Sequence, residues 1–132
     1  QRRDLNREKF EANELIERLK NFDSPASKNI SYLSHVVKVR SRLRAFHPES
    51  FMKCISTNIA NCVIIQRGLD EDLVYVVCNI SDKCMNISLS SILDSLQLSS
   101  NKCLIDNITG SYFNIDSFTL NPYQVVWLSS AY

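Results

Sequence analysis

The sequence predicts an α+β fold: two N-terminal helices followed by an antiparallel β-sandwich. Three observations predict it. Apolar residues before Pro48 recur at helical spacing, whereas after Pro48 they fall into short runs with strand character. Turn residues such as Gly68-Leu69-Asp70-Glu71-Asp72 and Asn107-Ile108-Thr109-Gly110 separate those runs. Pro25 and Pro48 mark where helical geometry starts and stops.

Residues 5–11 read as irregular or loosely helical. Asn13 is a candidate N-cap for a helix over 14–22, with Leu15, Leu19 and Phe22 on one face. Ser24 can cap a second helix. Pro25 suits its first position, where a backbone N–H would find no intrahelical partner. The stripe Tyr32, Val36, Val39, Leu43 and Phe46, widened by Leu33 and Val37, carries this helix to about Phe46. Pro48 disfavours helical geometry at His47 and ends it. A stripe this wide needs a cover, so the isolated chain is expected to expose Val36, Val39 and Leu43 and to self-associate.

Strands follow near 51–57, 61–67, 73–80, 84–89, 103–107, 111–115, 117–121 and 123–128. The second and third form a hairpin, because Gly68 supplies a positive φ and the acidic residues favour the turn. Leu73 to Cys78 is apolar on both faces, as in a central strand. Residues 90–101 read as a loop or a short helical excursion. The last strand is entered through Pro122. Trp127 is expected in the core, which leaves no aromatic platform for sugars.

Composition excludes several function classes. Hydrophobic residues make up 45% of the 132, enough for a core, and the net charge is +1. That balance argues against nucleic acid or an anionic membrane as partner. Lys38, Arg40, Arg42 and Arg44 read as a solvated or acid-paired helix face, because basic residues near a helix C-terminus complement its dipole. No apolar run approaches the roughly 20 residues of a membrane span. The five cysteines, Cys54, Cys62, Cys78, Cys84 and Cys103, have no metal-ligand spacing and read as reduced, mostly buried thiols of a cytoplasmic protein. The sequons at Asn29, Asn79, Asn86 and Asn107 read as chance in a chain rich in Asn and Ser. No cofactor is indicated. His35 and His47 fall beside no nucleophile elbow, and His47 reads as a helix-end residue. Asp70, Glu71 and Asp72 read as a solvated turn. Opening on Gln1 rather than Met, the chain reads as a piece of a larger protein.

Four stretches in order carry a resemblance. Arg3-Asp4-Leu5-Asn6-Arg7 is similar to an R-[DA]-[IL]-N-R segment. Val39-Arg40-Ser41-Arg42 with Ala45-Phe46-His47-Pro48 is similar to a last barrel helix and its exit. Val74 to Ser81 matches V-x-x-x-x-N-x-S. Asp106 to Gly110, with Leu120 to Leu128, matches a D-x-x-T-G turn and a P-Y-x-V-x-W-L strand. Together they resemble the C-terminal end of the sucrose-phosphorylase-like branch of glycoside hydrolase family 13, the α-amylase family. The helix exit is most similar to members acting on glucosylglycerate or phosphorylated sucrose.

The resemblance implies a (β/α)₈ catalytic barrel upstream. Residues 1–48 would then be its last helical segment, and 49–132 a non-catalytic C-terminal β domain. It implies retaining glucosyl transfer from an α-glucoside to inorganic phosphate, with all three catalytic carboxylates upstream of Gln1. It carries over one site residue, Arg3, to the acceptor or phosphate site, where a planar guanidinium can pair two oxygens. Arg2 stands where those enzymes often have Gly. The alternative is a free-standing β-sandwich that binds carbohydrate or protein.

Overall fold

Among the described residues the sequence after Pro48 forms eight strands, all paired antiparallel. The computed structural model describes residue 9 and residues 11–92 and 103–130. Within them the chain divides into two compact units, with the division between Lys38 and Val39.

The first unit holds helix α1, Ala12–Lys20, and most of α2, Pro25–Arg42. Helix α1 begins two residues before the predicted start. Glu11 stands at its N-cap without a side-chain cap bond, so Asn13 is not the cap. Exposed pairs Arg18–Glu14 and Lys20–Glu17, both at 2.7 Å, support it only weakly. The predicted cap at Ser24 is present. Its Oγ accepts the Ser27 N–H at 3.1 Å and donates to the Arg18 carbonyl at 2.7 Å, tying α1 to α2.

Helix α2 ends at Arg42, four residues short of the predicted Phe46. Leu43 is extended (φ −93°, ψ 111°), and Arg44–Phe46 form a separate 3-10 turn. Local propensity would let the helix continue to Pro48. Tertiary contacts that hold Ala45 and Phe46 against the β-sheet override it.

In the second unit six strands form one sheet in the order β1-β2-β3-β8-β5-β6. They are β1 Met52–Ile55, β2 Cys62–Arg67, β3 Val74–Asn79, β5 Cys103–Asp106, β6 Tyr112–Asn114 and β8 Val125–Ser130. The remaining strands, β4 Met85–Ile87 and β7 Phe118–Leu120, pair as a separate two-stranded ribbon. The second layer is therefore a ribbon, joined by the helical turn Leu89–Ile92.

Strand register sorts side chains between two faces. Ile64, Val77 and Val126 lie on the inner face with Tyr75, Leu128 and Leu104. They form one buried cluster with Met85 and Ile87 of β4, Phe118 and Leu120 of β7, and Leu89. Phe113 and Phe118 meet edge-to-face within it, with ring centres 5.3 Å apart.

The β2–β3 hairpin forms as predicted. Gly68 has φ +69°, and a Cβ there would lie 2.3 Å from the Asp72 carbonyl oxygen, so no other residue fits without movement. The last strand begins at Val125 rather than Tyr123. Pro122 and Tyr123 form the turn before it, and Tyr123 takes φ +57°.

The cysteines correct the sequence reading. Only Cys62 is buried and Cys78 is half-buried, whereas Cys54, Cys84 and Cys103 are exposed. Cys54 lies on the edge strand β1, whose first three residues are all exposed. Burial pushes the Cys62 and Cys78 thiols upward, with Cys78 adding to the effect on Cys62, and burial alone pushes Tyr75 upward. These groups stay protonated in the fold at pH values where the unfolded chain ionises. Their contribution is complete below the unfolded pKa and is lost as pH rises from about 9. Stability against urea is therefore expected to fall as pH rises above about 9. A thiol reagent at pH 8 should modify three cysteines rapidly and two slowly; five equal rates would contradict this burial pattern.

Candidate functional site

The outer face of the sheet carries the feature nearest to a site. Val63, Ile65 and Arg67 of β2 share this face with Val76 and Trp127. A charge at the end of an apolar row needs a partner, and Arg67 finds two. Its Nε donates to the Ala45 carbonyl at 3.0 Å and its Nη2 to the His47 carbonyl at 2.9 Å. Its guanidinium lies 6.0 Å from the Phe46 ring centre, at the edge of cation–π range. Phe46 in turn packs on Trp127, ring centres 4.5 Å apart. Trp127 is thus half-buried on the outer face rather than in the core. Ala45 is buried, its Cα 3.4 Å from where a Cβ on Gly68 would sit. Ser50 Oγ donates to the Arg44 carbonyl at 2.7 Å and closes the far side.

Residues 44–50 therefore form a hook clamped to the sheet. Sequence reasoning missed Arg67; the signal was a charged residue in step with Val63 and Ile65. Replacing Arg67 by Met keeps much of the stem packing but removes both bonds. It is expected to destabilise the chain by about 1.5–3 kcal/mol, the usual worth of hydrogen bonds from a charged group. Urea unfolding measures this, and a change below about 0.5 kcal/mol would show that the clamp contributes little.

Two clefts flank the hook, of about 520 Å³ and 400 Å³. The ridge Arg42-Leu43-Arg44 lines both, as does Asp72. Glu49 and His47 line the larger cleft, and Tyr112 and Asn107 the smaller.

The residues that carry the sequence motifs are structural corners. Asp106 is fully buried. Its Oδ1 accepts the N–H groups of Trp127 at 2.8 Å and Ile108 at 3.2 Å. Its Oδ2 accepts the Thr109 hydroxyl at 2.7 Å and the Thr109 N–H at 3.2 Å. The D-x-x-T-G turn thus locks β5 to β8, and Gly110 completes it at φ +76°. Asn79 is also buried. Its Nδ2 donates to the carbonyls of Lys83 at 2.7 Å and Asn121 at 2.9 Å. Its Oδ1 accepts the Ser81 N–H at 3.0 Å and hydroxyl at 2.7 Å. With every polar position used, Asn79 has no free amide for a glycan.

Arg3 lies outside the described residues. His35 is exposed on α2 and His47 in the hook, where His47 Nδ1 accepts the Glu49 backbone N–H at 3.3 Å. Asp70, Glu71 and Asp72 are exposed in the hairpin turn, as expected. Among the described residues no group of three or more His, Cys, Asp or Glu could hold a metal ion. No helix among them is long and apolar enough to cross a membrane.

No family model matches the chain. It is 33% identical over 127 residues to the glucosylglycerate phosphorylase of Allomeiothermus silvanus, an alignment covering 96% of this chain and 20% of that protein. The chain therefore spans about a fifth of the length of the curated relative it matches, and it is related to a phosphorylase over nearly all of its own length.

Proposed function

We propose that this chain is the non-catalytic C-terminal part of an α-glucoside-active enzyme of glycoside hydrolase family 13, a disaccharide phosphorylase that transfers glucosyl to phosphate with retention. In this reading residues 1–48 end the catalytic barrel, 49–132 are its C-terminal β domain, and the intact protein is cytoplasmic. The observation that carries the reading is the 33% identity along 96% of the chain to a phosphorylase about five times as long. The buried positions of Asp106 and Asn79 support it, because the hydrogen bonds of both motif residues are engaged in holding the β unit together.

Helix α2 supplies a second support. At 100° per residue, its apolar positions cover about half its circumference. Val36, Val39 and Leu43 are half-buried, not exposed as the sequence suggested. The exposed edge is instead Ile30, Leu33 and Val37, at 50%, 59% and 62%. An edge of this kind is what an upstream barrel would cover. Expressed alone, the 132 residues should self-associate through it. Changing Leu33 and Val37 together to Ser should restore the monomer in analytical ultracentrifugation. A wild-type chain that is monomeric at all concentrations would remove this support.

The experiment for the activity uses the full-length protein with an α-glucosyl disaccharide and inorganic phosphate. The expected product is α-glucose 1-phosphate, and Arg3→Ala should raise the KM for phosphate. Glucose release independent of phosphate would overturn the phosphorylase reading and leave a hydrolase.

A further inference from the structure

We propose that the outer face of the sheet, beside the hook, is the surface on which the upstream part of the parent protein docks. This deepens the reading of the chain as a C-terminal part and rests on it. An antiparallel sheet with one face in water alternates apolar and polar residues. The three central strands do not, because residues 63–65, 74–78 and 125–128 are hydrophobic throughout. Among the described strand residues of the outer face the one charged side chain is Arg67, and the hook already takes it. Cover stops partway along the face. The cross-strand row Ile65, Val76 and Trp127 has Phe46 of the hook packed on its Trp127 end. The next row, Val63, Cys78 and Val125, is open, with Val63 and Val125 36% and 38% exposed in mid-sheet.

The hook shows what arrives on this face. Residues 44–50 are clamped there through Arg67 and Ser50, so the polypeptide that precedes them is tethered beside the open row. That row is too small to hold separate molecules together, which takes roughly 800 Å² on each partner. A tethered partner needs less, because linkage acts as an effective concentration on the order of millimolar. The partner surface is apolar, since a charge set against Val63 and Val125 would be desolvated without a partner. The alignment covers 20% of the related phosphorylase, whose other four-fifths shows how much polypeptide is available to supply that surface.

The test treats full-length wild type and V63Q/V125Q with a thiol reagent and maps Cys62 and Cys78 by mass spectrometry. Cys78 lies between the two substituted positions on the outer face, and Cys62 lies on the inner face of the same hairpin. Loosening the docked part should speed labelling of Cys78 about tenfold while Cys62 is unchanged. No acceleration of Cys78 overturns the proposal, as does an equal acceleration of Cys62, which would mean that the substitutions loosen the strands themselves. Sedimentation of both proteins adds one further outcome. A wild-type dimer that V63Q/V125Q makes monomeric would assign the face to a second copy and overturn the proposal. If the glutamine pair does not fold, V63T/V125T decides by the same readouts. A native gene product of only 15.1 kDa would instead remove the parent reading itself, whatever the face does.

Discussion

Replacing Asp106 by alanine should destabilise the β unit by about 3–5 kcal/mol. Three backbone N–H groups, of Ile108, Thr109 and Trp127, lose their acceptor together with the Thr109 hydroxyl. Each orphaned buried donor costs about 1–3 kcal/mol, and partial access of water to the turn reduces the sum. The loss is a large share of the 5–15 kcal/mol typical of a whole domain. Asp106→Asn keeps one acceptor but turns an NH₂ toward donors, so roughly half that loss is expected. Urea unfolding followed by Trp127 fluorescence measures both. A loss under about 1 kcal/mol for the alanine variant would show that the corner does not hold β5 to β8.

The second large effect comes from an isosteric change. Asn79→Asp keeps the shape of the side chain but replaces a double donor with an acceptor. That acceptor would face the carbonyls of Lys83 and Asn121, 2.7 and 2.9 Å from the present Nδ2. A buried carboxylate facing two carbonyl oxygens should cost about 3 kcal/mol or more at pH 7. The sign with pH follows from the neutral form being favoured. The folded pKa of the introduced acid would lie above the unfolded value of about 3.9. Its contribution is then intact below that value and lost as pH rises through the folded pKa. Relative to wild type, the variant should recover stability near pH 4. A deficit that is the same at pH 4 and pH 7 would show that the introduced carboxylate does not face the two carbonyls.

Much of this fold was legible in the sequence. Among the described residues seven of the eight strands lie within the predicted segments, and the last, Val125–Ser130, overlaps its segment but runs two residues past it; a period of two between turn residues is a local signal. The hairpin at Gly68 was legible for the same reason. What was not legible depends on distant partners. The end of α2 is set by Phe46 meeting Trp127 and by Arg67 reaching the carbonyls of Ala45 and His47, about 20 residues away in sequence or more. Nothing near Leu43 announces them. Cys54 and Cys103 sit in apolar strand patterns, yet one lies on an edge strand and the other faces outward, which only the strand order reveals. The candidate site was less legible than the fold. Arg3 came from resemblance, while the hook and its ridge arise where a helix end, a hairpin and a sheet face meet.

The central claim is that this chain is one part of a much larger enzyme. The intact mass of the native gene product tests it most directly. The expected result is a single polypeptide several times heavier than 15.1 kDa that carries this sequence at its C-terminus. A native product near 15.1 kDa would contradict the claim, and a free-standing binding module would then be the better account.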